Sequence, residues 1–223
     1  MKERTIIIDG KPFTYQDEVG DPYVFDEMDS EDGRQLLLFA KTLFDELKLD
    51  FFLVYGTLLG AVREQSIIPG DDDVDIAVVD ENKLFASLPW LYEKGLYINR
   101  IFPGELYSFH TNRKGHIDVY ILKDFEKGIW SIRCKSLCGH AVPGKYFSDF
   151  SSTPFCGEEF PCPANPEKLL EWHYGKNWRI PQNKKGIDDV FLRRVIMKIQ
   201  NLPRRIRKKI RKILAKNNAI CIM

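Results

Sequence analysis

Four aspartates stand within five positions in Asp71-Asp72-Asp73-Val74-Asp75. Withdrawn from water together and without a cation, such carboxylates repel one another by several kcal/mol. A hard divalent cation is the simplest remedy. Mg2+ takes carboxylate oxygens and keeps waters or substrate phosphates as its remaining ligands. In an extended strand, Asp73 and Asp75 project to one face, where they can grip one ion, while Asp72 faces the other way and Val74 and Ile76 turn into a core. A solvated acidic loop is the plainer alternative, but the apolar flanks Ile67-Ile68 and Ile76-Ala77-Val78-Val79 argue against it. Asp73 and Asp75 are therefore the candidate metal ligands, with Mg2+, or Mn2+ in its place, as the expected cofactor.

The segment Tyr55-Gly56-Thr57-Leu58-Leu59-Gly60-Ala61-Val62-Arg63 supplies the complement. A strand that ends at Gly56-Thr57 and leads into a helix presents backbone N–H groups and a hydroxyl suited to phosphate. Arg63, about two turns on, can neutralise a phosphate bidentately. Alone, such a glycine marks only a turn; beside the aspartates, Gly56, Thr57 and Arg63 become candidate phosphate contacts. A third acid, Asp118, lies between Ile117 and Val119 in an expected strand, so it needs a partner or a metal. If its strand lies beside that of Asp73 and Asp75, the three acids form a two-metal or metal-plus-base site. His116, Arg113, Lys114 and Lys145 can meet phosphate, although surface charge is the simpler role for each. Helical spacing assigns Trp172 and Tyr174 to core packing before ligand stacking. The five cysteines are odd in number, and Cys134, Cys138, Cys156 and Cys162 are spaced more loosely than zinc pairs, which favours buried thiols.

These residues carry a resemblance. The 55–63 segment, Ile68-Pro69-Gly70 with the acidic run, and the stretch from Pro163 to Trp178 with its Tyr174-Gly175-x-x-Trp178 ending closely resemble the LicD family. That family includes bacterial phosphocholine transferases and fukutin-type proteins within the nucleotidyltransferase superfamily. The resemblance implies a Gly56-Thr57 turn, an Asp73-x-Asp75 pair and Asp118 as the later acid, these three acids serving as catalytic metal ligands. It implies transfer of a phospho-alcohol from a CDP-alcohol donor to a hydroxyl of a glycan or glycolipid. The rival readings are a nucleotidyltransferase that moves NMP from an NTP to a small hydroxylated substrate, and an inactive module that docks an assembly enzyme to membrane.

The elements that must position this chemistry follow from the pattern. Ile6 to Phe13 reads as a hairpin at 5–14 turning on Asp9-Gly10. A helix capped by Asp29 or Ser30 carries Leu36, Leu37, Leu43, Phe44 and Leu47 at three- and four-residue spacing. Strands are expected at 51–55, 74–79, 97–102, 106–111, 116–122 and 128–133. Helices are expected at 82–94 and from Asn165-Pro166, which suit a cap and a first turn. The fold class is α+β, a nucleotidyltransferase-like mixed sheet flanked by helices.

The 223 residues are 44% hydrophobic, 13% aromatic and 29% charged, proportions that exclude disordered, collagen-like and rod-like chains. No apolar run approaches the roughly 20 residues of a membrane span. The apolar stretch near Met1 is too short for a secretory signal, so a cytoplasmic protein is expected. The net charge of +1 hides an asymmetry, since Val190 to Met223 holds eleven Lys or Arg and no Asp or Glu. In that tail Ile199, Leu202, Ile206, Ile210, Ile213 and Leu214 form one stripe among basic residues. The expected division is a catalytic domain at 1–187 and a basic amphipathic helix and tail at 188–223. Residues 199–216 suit peripheral contact with an anionic membrane at its inner face, or packing on the acidic body. No reading module for a specific nucleic acid is present.

Overall fold

The structure, a computed structural model, describes residues 2–17, 28–124, 134–137 and 140–181. One compact unit runs from Met1 to Arg179, and a second from Ile180 to Met223. The basic helix and the strand expected at 128–133 lie outside the described residues.

The chain opens on β1 (Lys2–Ile8) and β2 (Lys11–Asp17), an antiparallel hairpin longer at both ends than expected. Asp9 and Gly10 both take positive φ, as a two-residue turn of this hand requires. Helix α1 (Ser30–Leu47) begins where the Asp29 carboxylate accepts the Asp32 N–H at 2.7 Å, and it buries Leu36, Leu37, Ala40, Leu43 and Phe44. It stops at Lys48, which turns left-handed and returns its N–H to the last carbonyls.

Strand β3 (Phe51–Leu53) is buried throughout and shorter than expected, because Tyr55 has φ 43° and turns the chain into α2 (Tyr55–Arg63). After a loop comes β4 (Asp73–Val78). The single helix expected at 82–94 is two helices, α3 (Glu81–Ala86) and α4 (Leu88–Glu93). Pro89 lies in the first turn of α4, where its missing N–H costs nothing but would break a continuous helix. There follow β5 (Tyr97–Phe102), β6 (Leu106–His110), β7 (His116–Asp124), β8 (Cys134–Leu137), β9 (His140–Pro143), β10 (Phe150–Phe155) and β11 (Glu158–Pro163). Helix α5 (Pro166–Tyr174) starts with Pro166 in its first turn, but the Asn165 side chain makes no capping bond, contrary to expectation.

The main sheet has the order β3-β4-β7-β6-β5, with β8 joined to the far end of β7 and β9 to β8. β4 and β7 are parallel and the other pairs antiparallel, while β10 and β11 form a separate hairpin. This is the expected mixed α+β architecture. Period-two alternation divides β4 and β7. Val74, Ile76, Val78, Ile117, Val119 and Ile121 are buried in the apolar core. Asp73, Asp75, His116, Asp118 and Tyr120 occupy the alternate positions and so share the opposite face. No helix among the described residues is long and apolar enough to cross a membrane.

Candidate active site

Parallel pairing sets Asp73 opposite His116 and Asp75 opposite Asp118. The three acids singled out in the sequence therefore meet on two neighbouring strands, and His116 joins them. Asp73, His116 and Asp118 can each offer a ligand atom such that all lie within 4.8 Å of one another. His116 Nε2 stands 3.6 Å from Asp118 Oδ1. Asp118 Oδ2 accepts a hydrogen bond from Arg100 Nη2 at 2.8 Å. Its Oδ1 is buried and has no hydrogen-bond partner among the described residues. A buried carboxylate oxygen left in that state is costly, and a cation would satisfy it. The residues present thus fit a divalent ion.

Asp75 is held differently. Its Oδ2 accepts the Gly56 N–H at 2.9 Å, and its own N–H donates to Thr57 Oγ1 at 2.7 Å. These two bonds stitch the start of α2 to β4. The turn that delivers the Gly56 amide depends on left-handed Tyr55, a conformation that costs a bulky residue on the order of 1–3 kcal/mol. A Cβ at position 56 would stand 3.2 Å from both Asp71 Oδ2 and Asp75 Oδ2, so only glycine leaves that approach open.

The electrostatics follow from packing acids out of water. Burial, then the charges of Asp118, Asp72 and Asp71, push Asp73 up to about 7. Burial and the neighbouring Asp73 and Asp118 push Asp75 well above the usual carboxylate range. Asp71 rises to about 6, chiefly through burial and Asp72, with Arg63 opposing. Burial holds His116 below the usual imidazole range, which keeps the ring neutral and able to ligate near pH 7. A bound cation reverses the penalty on the acids. One nitrogen and two carboxylates suit Mn2+ or Zn2+ as donors, whereas Mg2+ prefers oxygen alone.

The expected phosphate contacts are all engaged within the chain. Gly56 and Thr57 bond to Asp75, and Thr57 is buried. Arg63 donates through Nε to the Glu64 side chain at 2.8 Å and through Nη1 to the Trp178 carbonyl at 3.4 Å. Its guanidinium is the cation that tempers Asp71. The Tyr55 ring meets Tyr120 edge-on, centroids 4.9 Å apart, and His173 at 5.1 Å. Trp172 is half-buried against the core, as expected, but Tyr174 is 41% exposed and does not serve core packing. Arg113 pairs with Asp32 at 3.6 Å, and Lys145 lies over the Tyr146 ring. Cys162 is a buried thiol beside Ser151 and Cys156 a half-buried one. Cys138 and the Cys134 side chain lie outside the described residues.

Two residues of the site escaped the sequence reading. Tyr120, on the same face as Asp75, continues the alternation of His116 and Asp118, and that period was available as a signal. Arg100 carried none, because a β-bulge sets its direction.

The sequence pattern of the family described as LicD/FKTN/FKRP, nucleotidyltransferase domain, matches residues 48–165, more than half of the chain. A human protein called ribitol-5-phosphate transferase FKTN is 25% identical over 158 residues, covering 67% of this chain and 33% of its own length. An uncharacterized protein of Rickettsia prowazekii is 42% identical over 100 residues, covering 44% of this chain and 36% of its own. The chain thus spans about a third of the length of these curated relatives. Among solved structures, the lincosamide antibiotic adenylyltransferase LnuA superposes with a TM-score of 0.48 at 16% identity, covering 67% of this chain and 89% of that one. With its acids, glycine turn and later helix in these places, the chain belongs to the LicD/FKTN/FKRP family of nucleotidyltransferase domains.

Proposed function

We propose that residues 1–187 form the catalytic domain of a divalent-metal-dependent transferase. It moves a phospho-alcohol, such as phosphocholine or ribitol phosphate, from a CDP-linked donor to a hydroxyl of a glycan or glycolipid and releases CMP. The observation that carries this reading is the convergence of Asp73, His116 and Asp118 beside Asp75 in a chain of this family. The acceptor oxygen bonds to the phosphorus that bears the alcohol, while the bond from that phosphorus to the oxygen of CMP breaks and CMP leaves with the electron pair. A carboxylate of the site takes the acceptor's proton. Asp73, His116 and Asp118 hold the ion, with Asp75 adding charge; when bound, it neutralises the donor diphosphate and the departing CMP. Gly56 and Thr57 form the floor beneath the donor phosphates, and Arg63 adds positive charge at its edge. The basic segment 199–216 rests on the anionic inner face of a membrane, which places a cytoplasmic enzyme near a glycolipid acceptor.

The test is a panel of CDP-alcohols with Mg2+ or Mn2+ and cell-surface glycans, followed by CMP release. Wild-type protein should release CMP with at least one donor, and Asp75→Asn, still folded by circular dichroism, should not. Retained activity in Asp75→Asn refutes the assignment. Pyrophosphate from an NTP would favour the nucleotidyltransferase instead, and no turnover with any donor the docking module.

A further inference from the structure

Asp118 is held by a residue two strands away. Arg100 lies on β5 and Asp118 on β7, yet Arg100 Nη2 reaches Asp118 Oδ2 at 2.8 Å, the arginine side chain 19% and the aspartate side chain 4% exposed. The register explains the approach. Arg100 opposes Ser108, Ser108 opposes Asp118, and Asp118 opposes Asp75. Directly opposed residues share a face, so these four form one polar row across β5, β6, β7 and β4. Strands lie about 4.8 Å apart, so the Arg100 side chain must cross the width of β6 to reach Asp118.

Two local features permit the crossing, and neither serves stability. The residue beneath the guanidinium's path is Ser108, 0% exposed, its Oγ without a hydrogen-bond partner among the described residues. A buried unbonded hydroxyl is unfavourable, so what the position needs is small size. The second feature is the bulge. Ile98 opposes Phe109 but Arg100 opposes Ser108, leaving Asn99 as the extra residue. Without it Asn99 would oppose Ser108, and Arg100 would oppose Tyr107, whose partner on β7 is the core residue Val119. The bulge turns Arg100 from the apolar side to the acidic side, as bulges beside functional sites do. It leaves Asn99 4% exposed with its Nδ2 lacking a hydrogen-bond partner among the described residues, a state native interiors rarely keep.

Resting on the reading of Asp118 as part of a metal centre, we propose that Arg100 is a positioning residue. It fastens Asp118 by one oxygen and presents the other toward Asp73 and His116, and Ser108 is the small residue that lets the guanidinium pass.

The experiment uses the full 223-residue chain and Mn2+ alone, with unbound ion followed by electron paramagnetic resonance and folding by circular dichroism. Arg100→Gln should weaken Mn2+ binding about ten- to hundredfold, the range for outer residues that orient metal ligands. Ser108→Leu should weaken it similarly by blocking the path, while Ser108→Ala should leave it unchanged. In an Asp118→Asn background, Arg100→Gln should cost nothing further, a coupling that a general structural role would not produce. Equal or tighter Mn2+ binding by Arg100→Gln overturns the proposal, as does an undiminished loss in the Asp118→Asn background. If Arg100→Gln does not fold, the contrast between the two Ser108 variants decides. Indifference of binding to Asp118→Asn removes the metal centre itself, whereas dependence on Asp118 with indifference to Arg100 defeats only the positioning role.

Discussion

The Asp73 carboxyl shows what the acidic face demands. Burial lifts its pKa from 3.8 to about 7, so between those values the folded chain keeps a proton that the unfolded chain has lost. The penalty for ionising it in the fold is absent below pH 3.8 and complete above about pH 7. In metal-free protein, Asp73→Asn should therefore gain stability relative to wild type as pH rises from 4 to 8, and a saturating divalent cation should erase that gain at pH 8. Thermal melts with and without chelator measure both, and a difference independent of pH would contradict the account. Gly56 obeys a related constraint, since a Cβ there would crowd two carboxylate oxygens at 3.2 Å. Of the individual residues, the pair Asp73 and Asp75 was legible because repulsion and strand period point the same way. His116 was underrated because one histidine just after Arg113 and Lys114 reads more simply as surface charge.

At the level of elements, β4 and β7 were readable from sequence because polar and apolar residues alternate through 73–76 and 116–119, which fixes the face; their pairing was a condition there, and the structure meets it. The cap on α1 was equally plain. Asp29→Ala should cost about 0.5–2 kcal/mol in urea unfolding, since it removes the bond to the Asp32 N–H. A loss below that range would mean that the first turn is held by packing alone. Where the reading failed, a local irregularity intervened. Pro89 divides one amphipathic stretch into α3 and α4, and left-handed Tyr55 ends β3 early. The bulge at Asn99 is a surplus of one residue with no compositional mark, so the direction of Arg100 could be learned only from the paired strands. Asn165 shows the converse, a residue suited to capping that makes no capping bond.

For the whole molecule, a site built from mutually repelling acids couples ion binding to stability. A cation that binds only the folded chain stabilises it by about 2.7 kcal/mol at a hundred times its Kd. Adding Mn2+ to the 223-residue chain should raise its Tm, and Asp118→Asn should reduce the rise; an equal shift in both proteins would place the ion elsewhere. The parallel pairing of β4 with β7 also bears on how the chain is made. Everything from Val79 to Gly115 must leave the ribosome before His116 and Asp118 can lie beside Asp73 and Asp75. Until then β4 can pair with β3 alone, and the acidic run lacks its neighbours on β7. A translational pause within that excursion therefore leaves a precursor without the face on which Asp73, His116 and Asp118 meet.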